Sequence, residues 1–207
     1  DDIMAKTALA ELVGAAQKHD AEVVLGDWFA FELTTGKQLA PYDAEVTSSL
    51  PRDAAFTVAE HPQVLRASPV PWRKLYRADY LSANDVKFPQ GDHFFEDNAF
   101  HWRALTASPE TTRFVYASVL VVAHTVGDAR QTTAANHSTS AERLSGYFPN
   151  LNAITRELVD ERAPEYLLRE FAKLLSQSKW IVGRQQDLGL REKFARVLRR
   201  DAALFVE

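Results

Sequence analysis

Two adjacent acids, Glu96 and Asp97, stand where the sequence predicts the first turn of a helix. There the helix dipole and the unpaired N–H groups favour the ionised carboxylate that a general base needs. A second acidic pair, Asp1 and Asp2, offers the hard oxygen ligands that a divalent cation takes. His124 closes an apolar run and can add a nitrogen ligand, while Arg130, Thr132 and Thr133 bring a cation and hydroxyls suited to phosphate. Trp72 and Lys74 supply an aromatic face and an amine fit to line a ligand pocket. Each also has a plainer reading: a terminal cap, a core histidine, a polar loop and a core tryptophan use the same residue types.

Composition narrows the chemistry further. The 207 residues include no cysteine, so thiol nucleophiles, disulfides and Cys-based metal sites are excluded. A net charge of -4 without a long block of like charge gives no reason to expect a polyanion, and nucleic acid is not an expected partner. The glycines at 14, 26, 36, 91, 127, 146, 183 and 189 permit neither a GxGxxG fingerprint nor a P-loop, and no GxSxG or HExxH occurs. A metalloenzyme reading from Asp92, His93, Glu96 and Asp97 competes, but that spacing matches no standard ligand motif. No basic segment leads an apolar run at the N-terminus. The longest apolar stretch, Val119 to Ala123, is strand-sized and far short of the ~20 residues of a membrane span.

These residues must be held by regular elements. Apolar spacing from Met4 to Ala16 predicts a helix over about 4–18, and residues 22–33, β-branched and aromatic, predict a strand pair turning at Thr34-Thr35-Gly36-Lys37. Five prolines between 41 and 71 mark a surface excursion with a short helix at 55–66. Helices follow at 77–84 and 96–105, then a strand at 113–126. From about 138 onward the spacing is helical, with Pro149 and Pro164 as starts or breaks. A final apolar stripe of Leu190, Phe194, Val197 and Leu198 opposes Arg191, Lys193, Arg196, Arg199 and Arg200. The chain therefore divides into an αβ part, 1–137, and a helical part, 138–207.

Three segments occur in order: Trp72-Arg73-Lys74-Leu75-Tyr76-Arg77, then Phe88-Pro89-Gln90-Gly91, then Glu96-Asp97-Asn98-Ala99-Phe100. They resemble the W-x-K-L-Y-R, F-P-x-G and E-D-x-x-F segments of family 2 glycosyltransferases, inverting enzymes with the GT-A fold. Asp1-Asp2, followed by a helix and Ala21-Glu22-Val23-Val24, is similar to the stretch after that family's D-x-D-D motif. His124 with Arg130-Gln131-Thr132-Thr133 resembles its later strand end and phosphate-contacting segment. The likeness covers about residues 1–137 and implies an α/β fold, part of a GT-A nucleotide-diphospho-sugar transferase sandwich with an α-helical extension. It implies Asp97 as general base with Glu96 beside it. It further implies Asp1, Asp2 and His124 on Mn²⁺ or Mg²⁺, and Trp72, Lys74, Arg130, Gln131, Thr132 and Thr133 on substrate. The expected partners are a nucleotide-sugar donor and a glycan or lipid-linked acceptor, in bacterial polysaccharide biosynthesis. The resemblance also implies that the family's nucleotide-binding half precedes Asp1, leaving this chain catalytically incomplete and prone to self-association. A cytoplasmic location is expected, with the basic stripe of 191–200 facing the inner membrane surface, its own domain or a second copy. The alternative is a non-catalytic module whose helical third serves assembly.

Overall fold

Residues 2–90, 95–126, 141–160, 162–184 and 187–203 are described by the computed structural model. The chain divides into two units, Asp1–Lys87 with Phe100–Ala134, and Phe88–Ala99 with Ala135–Glu207. In chain order the elements are β1 (Ile3–Met4), α1 (Ala8–His19), β2 (Val23–Glu32), β3 (Lys37–Leu39), α2 (Ala44–Ser48), β4 (Ala55–Phe56), β5 (Lys74–Tyr76), α3 (Ala78–Ala83), α4 (Glu96–Thr106) and β6 (Phe114–Val126). The helices α5 (Ala141–Asp160), α6 (Glu165–Gln177), α7 (Lys179–Arg184) and α8 (Leu188–Ala203) follow. The mixed α/β class expected from the sequence is the class observed.

The first unit is built on a sheet of order β1-β6-β2-β3, with β4 added to β6 and β5 to β2. The two longest strands, β2 and β6, pair in parallel at its centre. Consecutive residues are buried at the start of each, Val23–Gly26 and Phe114–Ala117, which matches their apolar sequence, whereas Ser118 and Leu120 of β6 are exposed. Helix α1 seals one face with Ala8 and Leu12, which pack on Val24, Val115, Ala117 and Val121. The hairpin β2–β3 turns at Gly36, whose φ of +68° suits a residue without a Cβ.

The parallel register slips within β2: Leu25 faces Tyr116, but Trp28 faces Val122. Gly26 sits at this irregularity because a Cβ there would lie 2.2 Å from Val121 Cγ2 and 3.0 Å from the Val119 carbonyl oxygen.

Three local expectations are corrected. The first helix begins at Ala8, not near Met4, because Ile3 and Met4 pair with Ala123 and Val122 on β6. Its expected apolar stripe is narrower than read, since Leu9 and Val13 point outward. Residues 55–66 form no α-helix: Ala55–Phe56 joins the sheet edge, and Pro62–Arg66 is a 3₁₀ turn. Pro62 has no N–H for a helical ladder, and burial of Val64 and Leu65 fixes the tighter turn.

The second unit is helical, with Tyr147, Phe148, Leu151, Ile154, Leu167, Phe171 and Phe194 buried. Pro149 lies inside α5 rather than at a break. It is solvent-exposed, and its buried neighbours Phe148 and Leu151 hold the helix against a proline penalty of about 3 kcal/mol. Phe148 and Phe194 pack with ring centroids 4.8 Å apart, tying α5 to α8. That contact leaves Lys193, Arg196, Arg199 and Arg200 exposed. Among the described residues no helix is long and apolar enough to cross a membrane.

Candidate functional site

The antiparallel register Ile3–Ala123, Met4–Val122, carried one residue outward, sets Asp2 opposite His124. Asp2 Oδ1 accepts the His124 Nδ1–H at 2.9 Å and the Thr125 backbone N–H at 3.0 Å. A carboxylate can only accept here, so the imidazole carries a proton on Nδ1, and Asp2 orients the ring through it. A carboxylate-oriented histidine of this kind suits a metal where Nε2 offers a lone pair, and a phosphate oxygen where Nε2 carries a proton. The donor set fits a hard divalent cation in part: one imidazole nitrogen and the carboxylate of Asp2. Among the described residues no third His, Asp or Glu joins them. Asp1 lies outside the described residues.

Trp72, in the 3₁₀ turn Pro71–Arg73, stacks on His124 with centroids 5.5 Å apart and planes 22° apart. Trp28 meets Trp72 edge-on at 5.3 Å and His124 at 6.0 Å. Tyr42, 71% exposed, meets Trp28 edge-on at 5.2 Å and shares a hydrogen bond with the Ser68 hydroxyl. The histidine thus sits against an aromatic wall contributed by β2, the loop after β3 and the turn before β5.

Behind this wall lies a buried charged cluster. Asp43, 4% exposed, accepts hydrogen bonds from Trp28 Nε1–H at 3.3 Å, Ser68 N–H at 2.7 Å and Arg73 Nη2 at 2.5 Å. Arg73 is 1% exposed, and its Nε–H has no partner among the described residues. The Lys74 ammonium donates to the Ser68 and Val70 carbonyls at 2.6 and 2.9 Å. The structure therefore sets Lys74 beneath the turn that carries Trp72. His101 is buried nearby, with Nε2 3.3 Å from the Leu65 carbonyl. Burial, then the charges of Lys74 and Arg73, push its pKa well below the usual histidine value.

Glu96 and Asp97 stand in the first turn of α4, as the sequence predicts, and fall in the second unit. Phe95 before them has φ +67°, a strained conformation for an aromatic residue, and its ring meets Tyr147 at 5.1 Å. The Asn98 side-chain amide donates to Asp97 Oδ1 and to the Phe95 carbonyl, both at 3.3 Å, fixing the turn. Tyr147 is held protonated chiefly by burial, although its bond to Ser178 opposes this, and the nearby Asp97 charge adds to the rise. Asp97 is thus a half-buried carboxylate at a helix N-terminus.

Asp92, His93, Arg130, Gln131, Thr132 and Thr133 lie outside the described residues. Sequence reasoning did not single out Trp28, Tyr42 or Asp43. For Trp28 a signal existed, since Gly26 two residues earlier marks a bulge that re-aims the following side chains. For Asp43 the adjacent Pro41 suggested only a turn.

No protein family matches the sequence, and no curated protein does. Three crystal structures of S. aureus TarS 1–349 share the fold. The complex with UDP-GlcNAc aligns with TM-score 0.71 at 15% identity, over 99% of this chain and 55% of TarS 1–349. TarS 1–349 alone aligns at 0.64 over 98% and 54%, and its UDP complex at 0.64 over 95% and 52%, each at 15% identity. The chain spans about half the length of these structures. Its architecture matches the fold of TarS 1–349.

Proposed function

We propose that the chain is part of an inverting glycosyltransferase of the family 2 kind, which moves a sugar from a UDP-linked donor to a glycan or lipid-linked acceptor. The supporting observation is the fold shared along 99% of the chain with TarS 1–349, crystallised with UDP-GlcNAc. The meeting of Asp2 with His124, two residues far apart in sequence that the motifs nominate, is consistent with it.

In this reading Asp97 takes the proton of the acceptor hydroxyl as that oxygen attacks the anomeric carbon, and the bond to the diphosphate oxygen breaks on the opposite face. It stands in the first turn of α4, where the helix dipole favours negative charge, and Asn98 holds its orientation. Glu96 orients the acceptor. His124, fixed by Asp2, and Asp2 itself would hold Mn²⁺ or Mg²⁺, whose charge would offset that of the diphosphate. Trp72 keeps the imidazole plane in place and lines the pocket.

The test is Asp97→Asn in the protein carrying this chain, assayed by UDP release from UDP-GlcNAc in the presence of glycan acceptors. Turnover is expected to fall by about 10²–10⁴-fold with UDP affinity preserved. Undiminished turnover would remove Asp97 from the mechanism.

A further inference from the structure

Asp43 occupies the N-cap position of α2, where an aspartate ordinarily accepts a hydrogen bond from the first turn of its own helix. It makes no such bond. Its carboxylate is directed into the protein, towards Trp28 from β2 and towards Ser68 and Arg73 from the segment leading into β5. A buried carboxylate with so many directed partners is costly to desolvate, and it orders the groups that meet it.

Those groups are the supports of the aromatic wall. Trp28 is held through its indole N–H. Trp72 is held through both flanks of its turn: Ser68 on one side, Arg73 on the other, with Lys74 closing the Ser68 and Val70 carbonyls beneath. Both indoles then pack on the His124 ring that bonds Asp2. Asp43 touches neither His124 nor Asp2, and nothing in the motifs assigns it a role.

We propose that Asp43 is a positioning residue for the Asp2–His124 pair, acting through Trp28 and through the turn that carries Trp72. Its importance for catalysis rests on the glycosyltransferase reading; its effect on the His124 ring does not. Supports of this kind, one step removed from a ligand, typically change metal affinity or activity by about 10–100-fold when removed.

The experiment compares Asp43→Asn, Asp43→Glu and the double variant Asp43→Asn/Arg73→Met. The double variant removes both buried charges together and so avoids stranding the arginine, the step that unfolds proteins with broken buried pairs. Two quantities are read. One is the chemical shift of the His124 ring protons, displaced by the stacked Trp72 and assigned with His124→Gln. The other is calorimetric affinity for UDP in the presence of Mn²⁺. The expected result is His124 signals moving towards unstacked values in Asp43→Asn and in the double variant, with UDP affinity about 10–100-fold weaker. A smaller change is expected in Asp43→Glu. Unmoved His124 signals in a folded double variant would overturn the proposal. So would loss of fold in all three variants, which would make Asp43 a stability residue without a separable effect on the pair. If the unsubstituted protein binds no UDP with Mn²⁺ while the His124 signals still respond to Asp43, the positioning role stands and the glycosyltransferase reading fails.

Discussion

Trp72 stacks on His124 at 5.5 Å with the ring planes 22° apart, while the other side of the imidazole relation is fixed by the bond to Asp2. The aromatic face is a structural constraint on a candidate ligand, so Trp72→Ala is expected to act on metal binding and not on nucleotide recognition alone. Stacked ring pairs contribute about 0.5–1.5 kcal/mol beyond the area they bury. The Mn²⁺ dissociation constant in the presence of UDP, read from the electron paramagnetic resonance of the free ion, is expected to rise about tenfold. Trp72→Phe should retain most of the affinity. Equal affinities for Trp72→Ala and the parent would show that the stack constrains nothing.

Gly26 carries the irregular pairing of β2 with β6. A methyl group at Gly26 meets a β-branched side chain at 2.2 Å and a backbone carbonyl at 3.0 Å, neither of which can turn aside. Overpacking of this kind costs about 1–3 kcal/mol. At about 2–4 °C per kcal/mol for a chain of this size, the thermal midpoint of Gly26→Ala should fall by several degrees. Gly26→Ala with Val121→Ala should be less destabilised than the sum of the single changes. A midpoint unchanged by Gly26→Ala would contradict the close approach.

His101 gives the stability a pH dependence. Burial first, then the cations Lys74 and Arg73, keep the folded imidazole neutral, whereas an unfolded chain takes up a proton near pH 6.5. The unfolded state therefore binds more protons below that pH, and stability declines as pH falls from 6.5 towards 5, by about 1.4 kcal/mol per unit at most. Urea midpoints measured at pH 7, 6 and 5 should fall in order, and His101→Gln should flatten the trend. A parent protein without that slope would show that His101 is protonated in the fold.

Much of this architecture can be read from sequence where a pattern is local. The β-branched runs of β2 and β6 and the acidic start of α4 each declare themselves within a dozen residues. Trp72 and His124 were singled out by motif order, and the sheet then brought them together. Asp43 was not legible, because its meaning lies in partners 15, 25 and 30 positions away. The slip at Gly26 was equally hidden, since alternation of residue types does not encode which residue of β6 stands opposite. The start of α1 was misplaced because Met4 fits a helical stripe and a strand alike, and the pairing with β6 decides between them.

The central claim is that Asp2 and His124 form a metal-assisted site for a nucleoside diphosphate. Calorimetric titration with UDP and Mn²⁺ tests it most directly, repeated with chelator and with Asp2→Asn and His124→Gln. Saturable binding that requires the metal and weakens at least tenfold in both variants is the expected result. Binding that is absent, or unaffected by chelator and by both substitutions, would contradict the claim.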